Sequence, residues 1–478
     1  MALTSKQRAD LRSRAHALKP LVHVGKEGVT PAAIRSLQQT FDTHDLIKVK
    51  VLDNAPDDVR HVLVGNHRNY TKGVGFERVA MLLGNGIIVS DGARWRSQRR
   101  MIQPAFHRGV IERFSDTMRA CNARLLARWC DAADRGRAVD VTTDMSELSL
   151  EVILGCLFSE DLERLIETEG RNPFAMLVDD VTRDLAVAMR FRGLMRHVRA
   201  MVASRRAEGR EPHDWLSLLM AARDKDSGEP MPMRALLDEV MTLIVAGHET
   251  TAGTLNWVWY LLGTHPDAEA RLHAEVDALD GEPLFGDLAR LDYARQVADE
   301  ALRLYPPVWL FSRKAIGADR LGGHAVPAGA DVFLSPWLMQ RDPAHWSDPE
   351  AFRPERFGDV QASNLKRTAW YPFSLGSRRC IGEFFSMVDM QLHLGLVARQ
   401  LSLRPRPADT VAPAVEPLIN LRTRRPILMI PTRRSGAGGS PPRPVPESAS
   451  EPMSMSESTP ASGSASASGS KPGHRPPA

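Results

Sequence analysis

Cysteine is scarce: four in 478 residues, at Cys121, Cys130, Cys156 and Cys380, with no framework spacing. Such usage suits a reducing compartment rather than a disulfide scaffold. None of them has a second Cys or His at zinc-like spacing, which argues against a structural zinc site. No apolar run reaches the ~18 residues that a membrane span needs. The first residues also lack the charged, apolar and small-residue order of a secretion signal. A soluble, cytoplasmic monomer is therefore expected. Net charge is only +4, too small by itself to imply a nucleic-acid partner. The 43% apolar content is enough for a sizeable core. Length alone allows about three domains, although large helical enzymes often form one unit.

What is present centres on Phe373 to Gly382, reading Phe-Ser-Leu-Gly-Ser-Arg-Arg-Cys-Ile-Gly, just before an apolar run with a helical look, Phe384 to Leu401. A thiolate in a turn that opens a helix is stabilised by the positive helix end and by backbone amides. A single thiolate of this kind suits the axial ligand of a haem, where its electron donation favours O–O cleavage. The spacing Phe373-x-x-Gly376-x-Arg378-x-Cys380-x-Gly382 resembles the haem-binding signature of the cytochromes P-450. That resemblance implies a mainly α-helical fold with small β-sheets, haem b ligated by Cys380, and O2 as co-substrate.

The resemblance extends over about 56–431 and carries further residues with it. Trp95 and Arg99, one turn apart on a helix face, match the family's Trp-x-x-x-Arg, which binds a haem propionate. Arg313 and Arg378 correspond to two more propionate ligands. Leu236 to Leu262 is apolar over a length that implies a buried central helix. In its middle, Ala246-Gly247-His248-Glu249-Thr250-Thr251 meets the family's oxygen-activation motif. An acid and a hydroxyl side by side can pass protons, and Thr250 can bond a carbonyl four residues back and loosen the helix. Glu249, Thr250 and Thr251 are thus the candidate catalytic residues, with Ala246 and Gly247 against the haem. A zinc-protease reading of His248-Glu249 fails because position 252 is Ala. Glu300 and Arg303, three apart on a helix, with Arg356 of Pro354-Glu355-Arg356-Phe357, match the family's buried Glu-Arg-Arg cluster. Gln340 departs from the pattern, since His is frequent there.

The first segment has another character. Residues 1 to about 53 read as helix (Lys6 to Leu18), strand (Leu21 to Val24), turn, helix from Thr30-Pro31, and strand (Leu46 to Leu52). The turn, Gly25-Lys26-Glu27-Gly28, is of a kind that lets a nucleic-acid backbone approach closely. This stretch resembles the N-terminal half of a CRM-type RNA-binding domain and supplies ten Lys and Arg against seven Asp and Glu up to residue 60. Half of such a domain cannot bury a normal core. The expected layout is a partial CRM-like segment at 1–55, a haem domain at 56–432 without its usual first helix and strands, and a disordered Ser/Pro/Gly-rich tail at 433–478. Ile47 to Val51 is the candidate to replace a missing edge strand.

Val245, Val308, Trp309, Leu310 and Leu418 are expected to line an apolar pocket, which favours a fatty acyl, terpenoid or similar lipid substrate. No flavin or ferredoxin module follows residue 431, so electrons from NAD(P)H are expected through a separate ferredoxin or flavodoxin and its reductase. Arg94, Arg96, Arg100 and Arg379 offer a basic dock for such an acidic partner. A peroxide-driven variant is disfavoured by the intact acid–alcohol pair. The rival function is RNA binding, ribosome-associated, through residues 1–53 with an impaired haem domain.

Overall fold

The computed structural model describes residues 22–24, 49–51, 55–178, 185–358, 369–409 and 411–434, with backbone alone at 22–24, 49–51, 78, 82 and 185–192. The expected N-terminal helices, the Gly25-Lys26-Glu27-Gly28 turn and the chain beyond 434 lie outside these residues. Helices dominate, and the largest sheets have three strands.

The helices that place the site are α1 (Gly92–Ile102), α2 (Arg108–Asp134), α3 (Val141–Phe158), α4 (Met233–Thr264), α5 (Asp292–Leu304) and α6 (Glu383–Ala398). Helix α4 runs one turn or less past each end of the expected central helix. Its residues are buried on every face, as an axial core helix requires. It stops at His265 because Pro266 follows, and a residue before proline is driven out of the helical region. Helix α3 packs along it, and α6 crosses both α4 and α2. Those last three are stitched by one buried imidazole: Trp259 Nε1 donates to His393 Nε2 at 2.8 Å, and His393 Nδ1 lies 2.6 Å from Asn122 Oδ1. Burial pushes His393 down to about 3, so the ring stays neutral, with Nδ1 carrying the proton.

The strands are β1 (Val22–Val24), β2 (Val49–Val51), β3 (Tyr70–Lys72), β4 (Val139–Asp140), β5 (Phe311–Ala315), β6 (Asp319–Leu321), β7 (His324–Val326), β8 (Asp331–Leu334), β9 (Leu401–Pro405), β10 (Val415–Pro417), β11 (Leu421–Thr423) and β12 (Leu428–Arg433). Antiparallel β3–β5–β8 forms one sheet and β4–β12–β9 another, while β6–β7 and β10–β11 are hairpins. The expected helix from Pro56 is α-helical to Arg60 and continues as a wider π-turn to Gly65. This turn is fastened to β6, where Asp319 accepts from Tyr70 Oη at 2.7 Å and from Asn66 Nδ2 at 3.0 Å.

Three boundaries differ from expectation. The apolar run after Cys380 ends as a helix at Ala398, and Leu401 begins β9 instead. The fold does not stop at 432: Arg433 closes β12 opposite Leu401 and pairs with Asp134 at 2.7 Å, and Arg434 pairs with Asp277 at 2.6 Å. The surrogate edge is also not 47–51 directly. β1 runs beside β8, at the edge of the first sheet, and β2 pairs parallel with β1 one strand further out.

Candidate active site

The cysteine loop is shaped by its backbone. Gly376 has φ +70°, and a Cβ there would lie 2.1 Å from the carbonyl oxygen of Leu63, so only glycine fits. The Phe373 carbonyl accepts from the amide of Cys380 at 2.9 Å, closing the loop, while the Phe373 ring stands edge-on to Trp370. Cys121, Cys130 and Cys156 are buried, but Cys380 has an open face. Burial is nevertheless the largest influence on its thiol and raises it above the usual range. The open face therefore looks onto an interior recess, not the outer surface. The amides of Gly382 and Glu383, at the start of α6, and the charge of Arg99 act in the opposite direction and favour the thiolate. Binding a metal ion deprotonates such a thiol outright.

Cations gather beside this loop in excess of their counter-charges. Arg378 pairs with Asp91, the N-cap of α1, and stacks 4.3 Å above the Trp95 ring. Arg313 is buried on β5, its guanidinium bonded only to the Ser312 carbonyl at 2.9 Å among the described residues. Burial and then the charge of Arg378 push it down to about 10. Lys72, opposite Arg313 in the β3–β5 register, is lowered well below its usual range by burial and by both arginines. Three cations against the single carboxylate of Asp91 leave an excess of about two positive charges, which the two propionates of a haem would balance. The residues thus fit that group. Arg99 takes a different post: it donates to the Arg379 carbonyl at 3.0 Å and braces the cysteine loop. Lys72 was not singled out from sequence, because only strand pairing places it here.

On α4, Val245, Ala246, Gly247 and Thr250 are partly open while most of the helix is closed. A Cβ on Gly247 would sit 2.4 Å from Ile153 Cδ1, so this glycine lets α3 pack closely. Thr250 Oγ1 donates to the Ala246 carbonyl at 2.8 Å, the back-bond expected from sequence. The helix is nonetheless unbroken through this stretch, so the expected local opening is not seen. Thr251 is buried. The Glu249 carboxylate turns toward β10–β11, 2.8 Å from Arg422 and accepting from Asn420 Nδ2 at 2.5 Å. His248 lies 2.8 Å from Ser146 Oγ; burial, then the charge of Arg422, hold it neutral at about 3.

The cluster beneath the loop forms as expected. Glu300 and Arg303 are fully buried, with Arg303 bonded to both Glu300 oxygens at 2.7 and 2.8 Å and Arg356 Nε at 3.0 Å. Arg303 also donates to the carbonyls of Gln340, Pro349 and Ala351, so its charge is spread over a full set of acceptors. Gln340 is buried and saturated: Nε2 donates to the Leu302 and Arg303 carbonyls, and Oε1 accepts the Tyr371 amide at 3.0 Å. It therefore ties the end of α5 to the strand of chain entering the cysteine loop.

Of the expected pocket residues, Val308, Leu310 and Leu418 are partly open. Trp309 departs from expectation. It is buried, and its Nε1 donates to the Leu418 carbonyl at 2.9 Å, making it a strut between two lining segments. In the expected basic dock, Arg100 is paired with Asp226 and Arg379 with Glu383, whereas Arg94 and Arg96 are exposed with no ion-pair partner among the described residues.

Comparison with known proteins agrees with this geometry. Residues 172–430 match the family model described as Cytochrome P450, and residues 3–73 match the CRS1 / YhbY (CRM) domain. The second match runs twenty residues beyond the expected end at Asp53, and its last strand, β3, pairs with β5 in the helical body. Similar curated proteins include "Cyclooctatin synthase" of Streptomyces melanosporofaciens, 37% identical over 79% of this chain and 85% of that one. "Cyclooctat-9-en-7-ol 5-monooxygenase" of the same organism is 35% identical over 77% and 84%. "Pentalenene oxygenase" of Streptomyces avermitilis is 31% identical over 77% and 86%. Among solved structures, the haem domain of cytochrome P450DA superposes with a TM-score of 0.73 at 24% identity, over 87% of this chain and 98% of its own. A CRM-domain match at the N-terminus thus precedes a body whose fold, cysteine loop and relatives coincide, and the chain belongs to the cytochrome P450 family as one of its monooxygenases.

Proposed function

We propose that this enzyme hydroxylates or epoxidises an apolar terpenoid-like substrate, using haem b held by Cys380. The observation that carries the reading is the pairing of an inward-facing thiol, backed by two helix-terminal amides, with three neighbouring cations that have one carboxylate among them. The names of three relatives, which refer to cyclooctatin, cyclooctat-9-en-7-ol and pentalenene, favour a terpenoid over a fatty acyl chain. The partly open Val245, Val308, Leu310 and Leu418 supply apolar contacts for such a molecule.

When bound, the haem supplies O2 activation and insertion of one oxygen atom. The chain's own residues do the rest. Cys380 donates through sulfur, Arg313, Arg378 and Lys72 neutralise carboxylates, and Trp95 supports the Arg378 guanidinium from below. Ala246 and Gly247 keep side-chain bulk low where Thr250 faces the recess. Thr250 offers its hydroxyl as a hydrogen-bond donor, and Glu249 is the acid that replenishes the proton. Electrons come from NAD(P)H through a ferredoxin or flavodoxin and its reductase, docking at Arg94 and Arg96, in a soluble cytoplasmic protein. The test is the ferrous carbon-monoxide spectrum of the purified chain, expected to show thiolate ligation that Cys380→Ala abolishes, followed by spectral titration with cyclic terpenes and with fatty acids. Thiolate-type absorbance persisting in Cys380→Ala would refute the assignment.

The CRM-domain match favours a second reading, RNA contact through Gly25-Lys26-Glu27-Gly28. Gel-shift assays with structured RNA, comparing the full chain with Lys26→Ala, would reveal it; equal absence of binding in both would dismiss it.

A further inference from the structure

We infer that Arg422 and Asn420, on the β10–β11 hairpin, hold Glu249 ionised and withhold its proton until the hairpin shifts. This rests on Glu249 being the proton donor proposed above. The Glu249 side chain is 3% exposed, with Oε1 2.8 Å from Arg422 and Oε2 2.5 Å from Asn420 Nδ2. The Arg422 approach is ionic and not an aligned hydrogen bond. A carboxylate facing a guanidinium in a closed site is kept charged and has no proton to give. Separated from the cation without gaining water, the same carboxyl prefers to be neutral, and a neutral acid is a donor. The distance between Arg422 and Glu249 therefore sets whether a proton is on hand.

The hairpin is built to transmit such a shift. It is a two-stranded ribbon of three residue pairs, and its turn holds both Leu418, which is partly open toward the pocket, and Asn420. It rests on α4 near the acid: a Cβ on Gly253 would sit 3.8 Å from the Leu421 carbonyl, and Asn256 Nδ2 reaches Thr423 Oγ1 at 3.4 Å. On its other side it is tied to the lining segment 307–310, through Leu421 N to the Pro307 carbonyl at 2.8 Å and Trp309 Nε1 to the Leu418 carbonyl at 2.9 Å. A substrate pressing on Val308, Leu310 and Leu418 thus pushes the element that carries both restraining groups. The adjacent His248 is neutral and does not compete for the carboxylate.

The experiment uses the full, haem-loaded chain with a surrogate ferredoxin, its reductase and NADPH, and no added substrate. Arg422→Gln is expected to raise substrate-free NADPH oxidation and peroxide release about tenfold, the effect of one pK unit. Asn420→Ala should raise them less, and Arg422→Lys should restore the resting rate. The double variant Arg422→Gln/Glu249→Gln should fall back to the rate of Glu249→Gln alone. Independently of turnover, infrared difference spectra against Glu249→Gln should show an ionised carboxylate in the parent and a protonated carboxyl in Arg422→Gln at the same pH. If Glu249→Gln behaves as the parent in all assays, the donor reading itself fails. If Glu249→Gln slows turnover while Arg422→Gln keeps the parent's resting rate and ionised band, the restraint is refuted and the donor stands. Should Arg422→Gln lose haem, Asn420→Ala decides by the same two readouts, since it bears on the other oxygen.

Discussion

Lys72 shows how much of the site depends on single side chains that no contiguous motif reveals. Its charge is buried beside Arg313 and Arg378, a cost that only an anionic partner offsets. Lys72→Met removes one of three cations, so haem retention, measured by transfer to apomyoglobin, should weaken about tenfold if one charge contact contributes about 1.4 kcal/mol. Glu239 offers a second, independent check. It is fully buried on α4, accepts the Ile87 amide at 3.0 Å, and burial raises it from 4.5 to about 8. Between those values the folded protein keeps a proton that the unfolded chain has released, so stability falls as pH climbs through that window. Glu239→Gln should therefore be more stable than the parent at pH 8 and lose that advantage near pH 4.5, read as thermal midpoints. Asp389, raised by burial to about 7, adds a contribution of the same sign. Glu300, Arg303 and Cys380 were legible from sequence because short local spacings place them. Lys72, Asn420 and Arg422 were not, because each reaches its partner through a strand from elsewhere in the chain.

Among the elements, the close seats of glycine test the fold most directly. Gly376 lets the π-turn at His61–Gly65 lie on the cysteine loop, and any side chain there meets the Leu63 carbonyl. Gly376→Ala is expected to lose thiolate-type absorbance while helical circular dichroism persists, since a left-handed φ and a backbone clash both fall on one loop. Gly84 and Gly86 repeat the device on α4: a Cβ on either would lie within 2.3 Å of Asp238 or Thr242 side-chain oxygens. Helix α4 could be read from composition because it is apolar on all sides. The end of α6 could not, because the apolar residues Leu401 and Leu403 serve a strand as well as they would a helix. Length and periodicity alone do not separate the two.

For the whole molecule, the junction of its two family matches is the unusual feature. The CRM match reaches residue 73, yet β3, at its end, is paired into the haem-domain sheet, and β1 runs beside that sheet's far strand, β8. The two halves thus share strands instead of a linker. Removing residues 1–54 should lower the thermal midpoint and speed haem loss, and an unchanged midpoint would show that β1 and β2 contribute nothing to the body. The resemblance of each half was legible, but their shared sheet was not, because strand partnership over 300 residues leaves no local trace. One small departure from the family pattern also has a consequence for acid tolerance. The joint between α5 and the cysteine loop is an amide, Gln340, where an imidazole is frequent, and an amide neither gains nor loses a proton across the pH range of living cells. Gln340→His should introduce a spectral transition of the bound haem between about pH 5 and 7, whereas the parent holds its colour as the medium sours.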